Sequence, residues 1–231
     1  MSLEVKKSFT KYIPKIIFAI LLVVAFAFAI KVKIWEDDYY ANKEGSERAA
    51  PQVIGDIDAT PEAVSEVEVT EQERTEYTVA PEKPRYLYID KLGIKKARIL
   101  EVGVNAKGQM MTPYSVYDAA WYNGSSLPGT GGTSILDGHN GGPGSYGIFK
   151  HLNNLTAGDE IRIEMGSGAV YTYRVYDNFE VKLSEADEKM PMLTVSPVEG
   201  QESISIISCI GEWSLKQQTY LSRQFLRATR V

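Results

Sequence analysis

The chain has 231 residues, of which 44% are hydrophobic and 24% are charged, so it can form one globular domain with accessory segments. Its formal net charge is −5 at pH 7, and this acidic balance lacks the basic footprint that nucleic-acid binding requires. The single cysteine, Cys209, excludes an intramolecular disulfide and a multi-cysteine metal site.

The first predicted element is an apolar segment near the N-terminus. Residues 16–30 carry no charged or polar side chain, and Tyr12 and Trp35 flank them where an aromatic belt would lie. The uncharged core is shorter than the roughly 20 residues that span a bilayer, but neighbouring lysine side chains can reach the lipid surface. We therefore expect a transmembrane signal anchor over residues 12–35.

Charges on the two sides of this anchor predict its orientation. Lysines precede it, whereas Glu36, Asp37 and Asp38 follow it. The positive-inside rule then places residues 1–11 in the cytoplasm and the remainder outside a plasma membrane that the chain crosses once. A cleaved signal peptide is an alternative because residues 27–29 are Ala-Phe-Ala, and a buried core helix is another. An uncleaved anchor is favoured because that cleavage site would lie inside the apolar stretch.

Residues 36–84 differ in composition from both neighbouring segments, with many Glu, Asp, Ala, Thr, Val and Pro and few aromatic side chains. Its second half is rich in glutamates, namely Glu62, Glu66, Glu68, Glu71, Glu73 and Glu76. This charge density disfavours a packed core and extends the chain by repulsion. We predict an acidic, flexible stalk that holds the next domain away from the lipid, as a solvated spacer without a specific partner.

Short strands dominate the rest of the chain, residues 85–231. Apolar alternation and turn signals predict strands at residues 86–89, 97–104, 133–136, 160–165, 170–176, 178–183, 203–210 and 220–229. A helical turn is predicted over residues 147–155, where the apolar side chains share one face. Many short strands with few helices favour an all-β barrel or sandwich.

A glycine-rich stretch, residues 138–147, follows the strand at 133–136. It lacks the lysine and the spacing of a phosphate-binding loop, and no long helix follows it, so nucleotide binding is disfavoured. We interpret the stretch as a flexible loop beside a site.

Cys209 is the main candidate for chemistry. It lies in an apolar strand, where a free cysteine is either an inert core residue or a nucleophile. An unpaired thiol outside the cytoplasm risks oxidation, which favours a use for it. A reactive thiol requires a base or a cationic neighbourhood, which His139 at a strand end and Arg223 on the last strand could supply. His151, on the predicted helical turn, has a structural or solvent-facing role by default.

These residues and their neighbours resemble the signatures of the sortases. Asp137-Gly138-His139 after an apolar strand, Ser205-Ile206-Ile207-Ser208-Cys209, and Arg223 on the last strand are similar to the His, Thr-Leu-x-Thr-Cys and Arg motifs of that family, in the same order. Further similar segments are Leu87–Ile94, Trp121-Tyr122, Pro128-Gly129 and Phe149–Asp159. The resemblance covers residues 85–231.

The chain departs from the family pattern in a few positions. Ser205 and Ser208 replace both threonines of the cysteine motif, although Ser208 keeps a hydroxyl beside the thiol. Asp90 stands where the family commonly has proline, and the glycine-rich loop leaves the class of sortase open. We expect activity to survive these changes.

The resemblance implies a membrane-anchored cysteine transpeptidase on an eight-stranded β-barrel with short helices. Cys209 would attack a backbone carbonyl within a C-terminal sorting signal of the Leu-Pro-x-Thr-Gly kind and form a thioester. His139 would protonate the leaving amine and later deprotonate the incoming one, while Arg223 would hold the substrate and the oxyanion. The acceptor would be an amine of a peptidoglycan precursor or a lysine of a pilin-like subunit. Asp137 could orient His139, although a surface turn aspartate is the more common outcome.

Two other functions stay open from the sequence. A hydrolytic cysteine peptidase would use the same thiol and imidazole without an amine acceptor. A non-catalytic, membrane-tethered β-barrel would bind a partner without needing the thiol. No cofactor is expected. Calcium stays open because Glu185, Asp187 and Glu188 form an acidic cluster in a predicted loop, for which ordinary solvated charges are the preferred interpretation.

Overall fold

The computed structural model of the chain describes residues 31, 33, 64–106, 108–141 and 144–231. The predicted cytoplasmic segment, the predicted anchor apart from Lys31 and Lys33, and the predicted stalk up to residue 63 lie outside the described residues. The chain divides into two compact units, Met1–Ala50 and Pro51–Val231, and all elements below belong to the second. Within the described ranges, no helix is long and apolar enough to cross a bilayer.

In this part of the chain eight strands form a closed barrel, which confirms the predicted all-β class and strand number. The strands are β1 (Pro84–Ile89), β2 (Ile94–Val102), β3 (Ala119–Tyr122), β4 (Thr133–Gly138), β5 (Glu160–Met165), β6 (Val170–Lys182), β7 (Ser203–Ser214) and β8 (Thr219–Arg230). The helices of the same residues are short: α1 (Glu71–Glu76), α2 (Leu183–Lys189), and 3₁₀ helices at Asp90–Leu92, Leu152–Asn154 and Met190–Leu193.

Around the barrel the strands follow the order β1-β2-β3-β4-β7-β8-β6-β5, and β5 pairs with β1 to close it. The β2–β3 and β4–β7 pairs are parallel, whereas the other neighbours are antiparallel. The β4–β7 pair matters most for the site, because it places Asp137 beside Ile207 although the two are far apart in sequence.

Side chains that alternate along the strands fill the barrel interior. Ile204 and Ile206 of β7 and Leu226 and Ala228 of β8 belong to this inner core. The residues after the glycine-rich stretch complete it with Phe149, Leu152 and Leu155. The predicted helical turn therefore has the right buried face, but it folds as a turn followed by the 3₁₀ helix Leu152–Asn154.

A second apolar cluster covers the outer face of β4, β7 and β8. Ile135, Ile207 and Phe225 contribute from the strands, and Ala186, Met190 and Leu193 pack over them from α2 and the 3₁₀ helix after it. Strand β7 is therefore buried on both faces from Ser203 to Ser208. This explains why its sequence is a run of apolar and small residues without a polar face.

Three elements differ from the sequence prediction. β6 is one strand of 13 residues with a register shift between Val175 and Asp177, where the sequence predicts two strands. β3 has no counterpart among the predicted strands. The acidic cluster of Glu185, Asp187 and Glu188 lies on α2 rather than in a loop, where Glu185 pairs with Lys189 at 2.9 Å.

Residues 64–83, at the end of the predicted stalk, pack against the barrel. Val69 is 6% exposed, and the Tyr77 hydroxyl donates to the Ile99 carbonyl oxygen at 2.6 Å. Thr70 begins α1 with a reciprocal pair of capping bonds to Glu73. This differs from the predicted extended spacer, because burial of the few apolar side chains offsets the repulsion between the glutamates.

Candidate active site

The three side chains proposed for chemistry lie on neighbouring strands. Cys209 of β7 and Arg223 of β8 are direct cross-strand partners, which places their Cα atoms about 4.5–5.5 Å apart. The β4–β7 register ends with Asp137 paired to Ile207, and the Ser208 hydroxyl donates to the Gly138 carbonyl oxygen one residue further on. Extending this register by one more residue would place His139 level with Cys209. Alternation along the strands would then put His139, Cys209 and Arg223 on the outer face of the barrel, in one row that is called the candidate row below.

His139 follows the end of β4 and is half-buried. Its Nε2 lies 2.7 Å from the Pro113 carbonyl oxygen. A carbonyl oxygen only accepts, so Nε2 carries the proton and donates, and Nδ1 of the neutral ring remains the proton acceptor. Burial lowers the pKa of His139, and the bond to Pro113 opposes this effect to a lesser degree. The imidazole is therefore neutral at neutral pH and can act as a base.

Glycines at two positions allow close packing around His139. A Cβ at Gly138 would lie 2.7 Å from the Phe149 ring, and a Cβ at Gly147 would overlap the His139 carbonyl oxygen. Phe149 and Gly147 also form hydrogen bonds with the backbone around His139. The Phe149 N–H donates to the His139 carbonyl oxygen at 3.0 Å, and the Gly147 N–H donates to the Asn140 carbonyl oxygen at 2.8 Å. These contacts fix the backbone that carries the imidazole.

Ser208 links β4 to the strand that carries the cysteine. Its buried hydroxyl donates to the Gly138 carbonyl oxygen at 2.9 Å. The bond joins Gly138, the residue before His139, to Ser208, the residue before Cys209. It therefore fixes the position of His139 relative to Cys209 along the two strands. Ser205, the other serine of the motif, is buried, and its hydroxyl has no hydrogen-bond partner among the described residues.

Arg223 is 1% exposed and folds back along its own strand. Its Nη1 donates to the carbonyl oxygens of Tyr220 at 2.9 Å and Ser222 at 3.2 Å, and its Nη2 donates to the Thr219 hydroxyl at 3.4 Å. Backbone acceptors therefore hold the guanidinium at the site. Arginine has five N–H donors, so it can keep some of these bonds while another donor meets an oxyanion.

Tyr220 belongs to the site although the sequence gives no signal for it. Burial raises the pKa of Tyr220 first, and the charge of a Cys209 thiolate raises it further, so the phenol lies near the sulfur. Trp213 packs edge-on against Tyr220, with ring centroids 5.2 Å apart. A half-open cleft of about 160 Å³ lies beside this tyrosine, lined by Asn140, Gly141, Gly144, Ser145, Tyr146 and Lys150. Alternation along β8 would place Tyr220 on the face opposite Arg223, and a register shift between Ile210 and Trp213 interrupts the pairing there.

The described residues contain no group of three or more His, Cys, Asp or Glu side chains arranged to hold a metal ion. The chemistry that the site offers is that of a thiol, an imidazole and a guanidinium. These groups suit acyl transfer, in which a nucleophile, a proton carrier and an oxyanion partner must act on the same carbonyl.

A comparison with protein-family models finds a match to the sortase domain over residues 87–231, well over half of the chain. The chain belongs to the sortase family. It is therefore a cysteine transpeptidase in general terms, and the resemblance seen in the sequence is confirmed. The class of sortase stays open.

A comparison with solved structures finds sortases of low sequence identity. Sortase C1 of Streptococcus agalactiae is 27% identical with a TM-score of 0.49, and the match covers 71% of this sortase and 77% of that chain. Sortase C-1 of Actinomyces oris is 22% identical with a TM-score of 0.47, covering 83% and 94%. A lid mutant of sortase A from Corynebacterium diphtheriae is 20% identical with a TM-score of 0.48, covering 68% and 73%. A search of curated proteins finds no match.

Proposed function

We propose that this sortase is a membrane-anchored transpeptidase that cleaves a C-terminal sorting signal of the Leu-Pro-x-Thr-Gly kind and transfers its acyl group to an amine. The observation that carries the proposal is the strand register that pairs Cys209 with Arg223, together with the hydrogen bond from Ser208 to Gly138 that joins the residues before Cys209 and His139. The lowered pKa of His139 supports it, because a neutral imidazole can take a proton from the thiol.

In the first half-reaction a proton moves from Cys209 to His139, and the thiolate attacks the carbonyl carbon of the scissile peptide bond. The carbonyl oxygen becomes an oxyanion, to which Arg223 donates. Collapse of the tetrahedral intermediate breaks the C–N bond, and the His139 imidazolium gives its proton to the leaving amine. The acyl group remains on Cys209 as a thioester.

In the second half-reaction an incoming amine attacks the thioester carbonyl and His139 accepts a proton from it. The C–S bond breaks, the product leaves with a new amide bond, and the thiol is restored. An amine of a peptidoglycan precursor would give a surface-anchored protein, whereas a lysine of a pilin-like subunit would give a polymer link. Water in place of the amine would give the hydrolytic peptidase activity.

The sequence before the barrel supports a reaction at the outer surface of the plasma membrane. Lysines before the apolar residues 16–30 and acidic residues after Trp35 favour a single-pass anchor with its N-terminus in the cytoplasm. The catalytic domain then lies outside the plasma membrane, where it can meet secreted substrates while they are still at the membrane.

Mass spectrometry of the full chain in detergent micelles tests the function. The protein is mixed with a panel of sorting-signal peptides and with triglycine as the amine. We expect an acyl adduct on Cys209 and an amide product, both absent in Cys209→Ala and both retained in His151→Gln. Free acid alone, at every triglycine concentration, would indicate the hydrolase. No adduct and no product with any peptide would leave the tethered binding module.

A further inference from the structure

A polar cleft of about 160 Å³ lies next to the candidate row. Asn140, which follows His139 in the chain, lines this cleft, and so does Tyr220 of β8. The Tyr220 backbone carbonyl oxygen accepts from Arg223, and the charge of a Cys209 thiolate raises the pKa of the Tyr220 phenol. The cleft is therefore bordered by neighbours of all three residues of the row.

Asn140 presents an unused amide to this cleft. The residue is 4% exposed, and its backbone carbonyl oxygen accepts from the Gly147 N–H at 2.8 Å. Its side-chain amide, in contrast, makes no hydrogen bond within the described ranges. A buried amide is costly when its donors and its acceptor are not bonded. Because the amide borders an open cleft, a ligand there can supply the missing partner.

The cleft also carries a positive charge. Lys150 lines it and is half-buried, with Nζ 5.1 Å from the centre of the Tyr146 ring. This ammonium forms no ion pair in the part of the chain that the structure describes. The described lining residues include no carboxylate. The charge of Lys150 is therefore not neutralised by the wall of the cleft.

Two carboxyl groups lie in the surrounding elements, and neither lines the cleft. Glu66 accepts from the Gly144 backbone N–H, at 3.2 and 3.1 Å from its two oxygens. Asp137 is a residue of β4 and is 4% exposed, so it is not the surface turn aspartate that the sequence favoured. A ligand can therefore pair with Lys150 without displacing a carboxylate from it.

The groups that line the cleft match a carboxylate. Lys150 is a cationic donor, Asn140 has two amide donors, and the Tyr220 phenol stays protonated at neutral pH because its pKa is raised. A carboxylate only accepts hydrogen bonds, and such bonds from an ammonium are among the strong ones. The volume is well below the roughly 300–1,000 Å³ of sites that enclose a whole small molecule. The cleft therefore suits a terminal group of a longer ligand.

We propose that this cleft binds a free carboxylate of the amine acceptor, with Lys150 as its ionic partner and Asn140 and Tyr220 as hydrogen-bond donors. The inference rests on the proposed function, because an acceptor exists only if an amine resolves the thioester. The acceptor class is an amino acid or peptide whose carboxylate lies a few bonds from the nucleophilic amine. A lysine within a folded subunit has its own carboxyl group in a peptide bond, so it is the poorer acceptor.

Acceptor kinetics of the full chain in detergent micelles test the proposal. Triglycine is compared with triglycinamide at a saturating concentration of sorting-signal peptide, and glycine and diglycine with their amides vary the reach. We expect the wild type to prefer the carboxylate form about tenfold in kcat/KM at the best length. Lys150→Met should reduce this preference to less than about twofold by raising KM, with kcat nearly unchanged. The comparison between variants cancels any difference in amine basicity.

Two further substitutions at the cleft sharpen the test. Lys150→Arg keeps the cation and should retain the preference. Asn140→Asp has the same shape but brings a negative charge, so it should raise KM for the carboxylate acceptors and not for their amides.

Lys96→Met is the matched control. Lys96 is also half-buried with its ammonium near a tyrosine, 5.3 Å from the centre of the Tyr86 ring, but it lies on β2, which borders neither β7 nor β8. This change should keep the preference. The proposal is overturned if the wild type shows no preference at any length, if the preference survives in Lys150→Met, or if Lys150→Met raises KM only for the sorting-signal peptide.

A binding measurement separates the cleft from catalysis. Acetylglycine and acetylglycinamide have no free amine and cannot resolve a thioester, so saturation-transfer NMR with the full chain reports binding alone. We expect a signal for acetylglycine that triglycine competes away, that Lys96→Met retains and that Lys150→Met loses. Binding without any thioester or amide formation would refute the proposed function and leave the carboxylate site standing. Transpeptidation without this binding would overturn the site.

Discussion

At the scale of single residues, the acid–base behaviour of the site depends on the burial of His139. Its lowered pKa keeps the imidazole neutral to more acidic pH than in water. At low pH Cys209 and His139 are both protonated and no thiolate forms, whereas at high pH both are deprotonated and no acid remains for the leaving amine. We therefore predict a bell-shaped profile of kcat/KM against pH, with its acid limb below 6.5, the ordinary value for histidine.

The second histidine provides the control for this prediction. His151 is exposed and contacts Tyr146 edge-on, with ring centroids 6.2 Å apart. His139→Gln should lower kcat/KM by roughly a hundredfold or more, whereas His151→Gln should retain both the rate and the profile. An acid limb at or above 6.5 in the wild type would contradict the lowered pKa of His139.

The sequence could suggest His139, Cys209 and Arg223 as candidates because each lies on or just after an apolar strand within a recognisable motif. It could not identify the Pro113 carbonyl that orients the imidazole, because a backbone group in an irregular segment 26 residues earlier leaves no pattern of side chains. Tyr220 could not be identified for a different reason. Alternation along β8 assigns it to the face opposite Arg223, and the register shift in the β7–β8 hairpin leaves no signal in the sequence.

At the scale of elements, a single carboxylate connects the start of the cysteine strand to its surroundings. Glu202 accepts from the backbone N–H groups of Gly129 at 2.8 Å and Gly131 at 3.1 Å, from the Tyr173 hydroxyl at 2.5 Å and from Arg230 at 3.0 Å. Burial alone would raise the pKa of Glu202, but these bonds together lower it. They tie the loop before β4 to β6 and β8 immediately before β7 begins.

Glu202→Gln should therefore lower the free energy of unfolding by about 2–3 kcal/mol at pH 7, because an amide replaces one acceptor oxygen by a donor that faces other donors. The folded-state pKa lies below the ordinary 4.5, so the charge stabilises the fold above that pH and loses this effect as the pH falls through the folded value. The difference from the wild type should shrink in acid. Urea unfolding measures it.

Glu199→Gln is the control, since Glu199 is exposed and lies near Glu202 in the loop before β7. It should change the free energy of unfolding by no more than about 0.5 kcal/mol. Equal losses in the two variants would mean that the bonds of Glu202 are not the cause.

The elements themselves were predictable to different degrees. β7 and β8 were located because their apolar runs are long and cover both the inner core and the outer cluster. β3 is four residues, Ala-Ala-Trp-Tyr, and two alanines give little strand preference. Its parallel pairing with β2 is set by tertiary contacts that a local pattern does not contain.

At the scale of the whole molecule, the segment before the barrel is part of the packed fold. The buried Tyr86 hydroxyl donates to the carbonyl oxygens of Arg74 and Tyr77. Burial raises the pKa of Tyr77 to about 12, and the Arg98 guanidinium lies 5.8 Å from the centre of its ring. Arg98 is in turn paired with the buried Asp118 at 2.6 Å. The sequence did not predict this packing because glutamates outnumber the few apolar residues of the segment that form it.

The sortase-domain match begins at Leu87 and so omits residues 64–83. We predict that this segment nevertheless stabilises the barrel. A chain of residues 84–231 should unfold with a free energy about 3 kcal/mol or more below that of residues 64–231, because it loses the contacts of the buried Val69 and the half-buried Tyr77 and leaves Tyr86 uncovered. Tyr77→Phe in the longer chain removes only the bond to Ile99 and should cost about 1 kcal/mol. Urea unfolding of the three proteins separates packing from the hydrogen bond. Equal stability of the two truncated chains would mean that the segment contributes nothing to the fold, and that the barrel strands alone hold the candidate row in register.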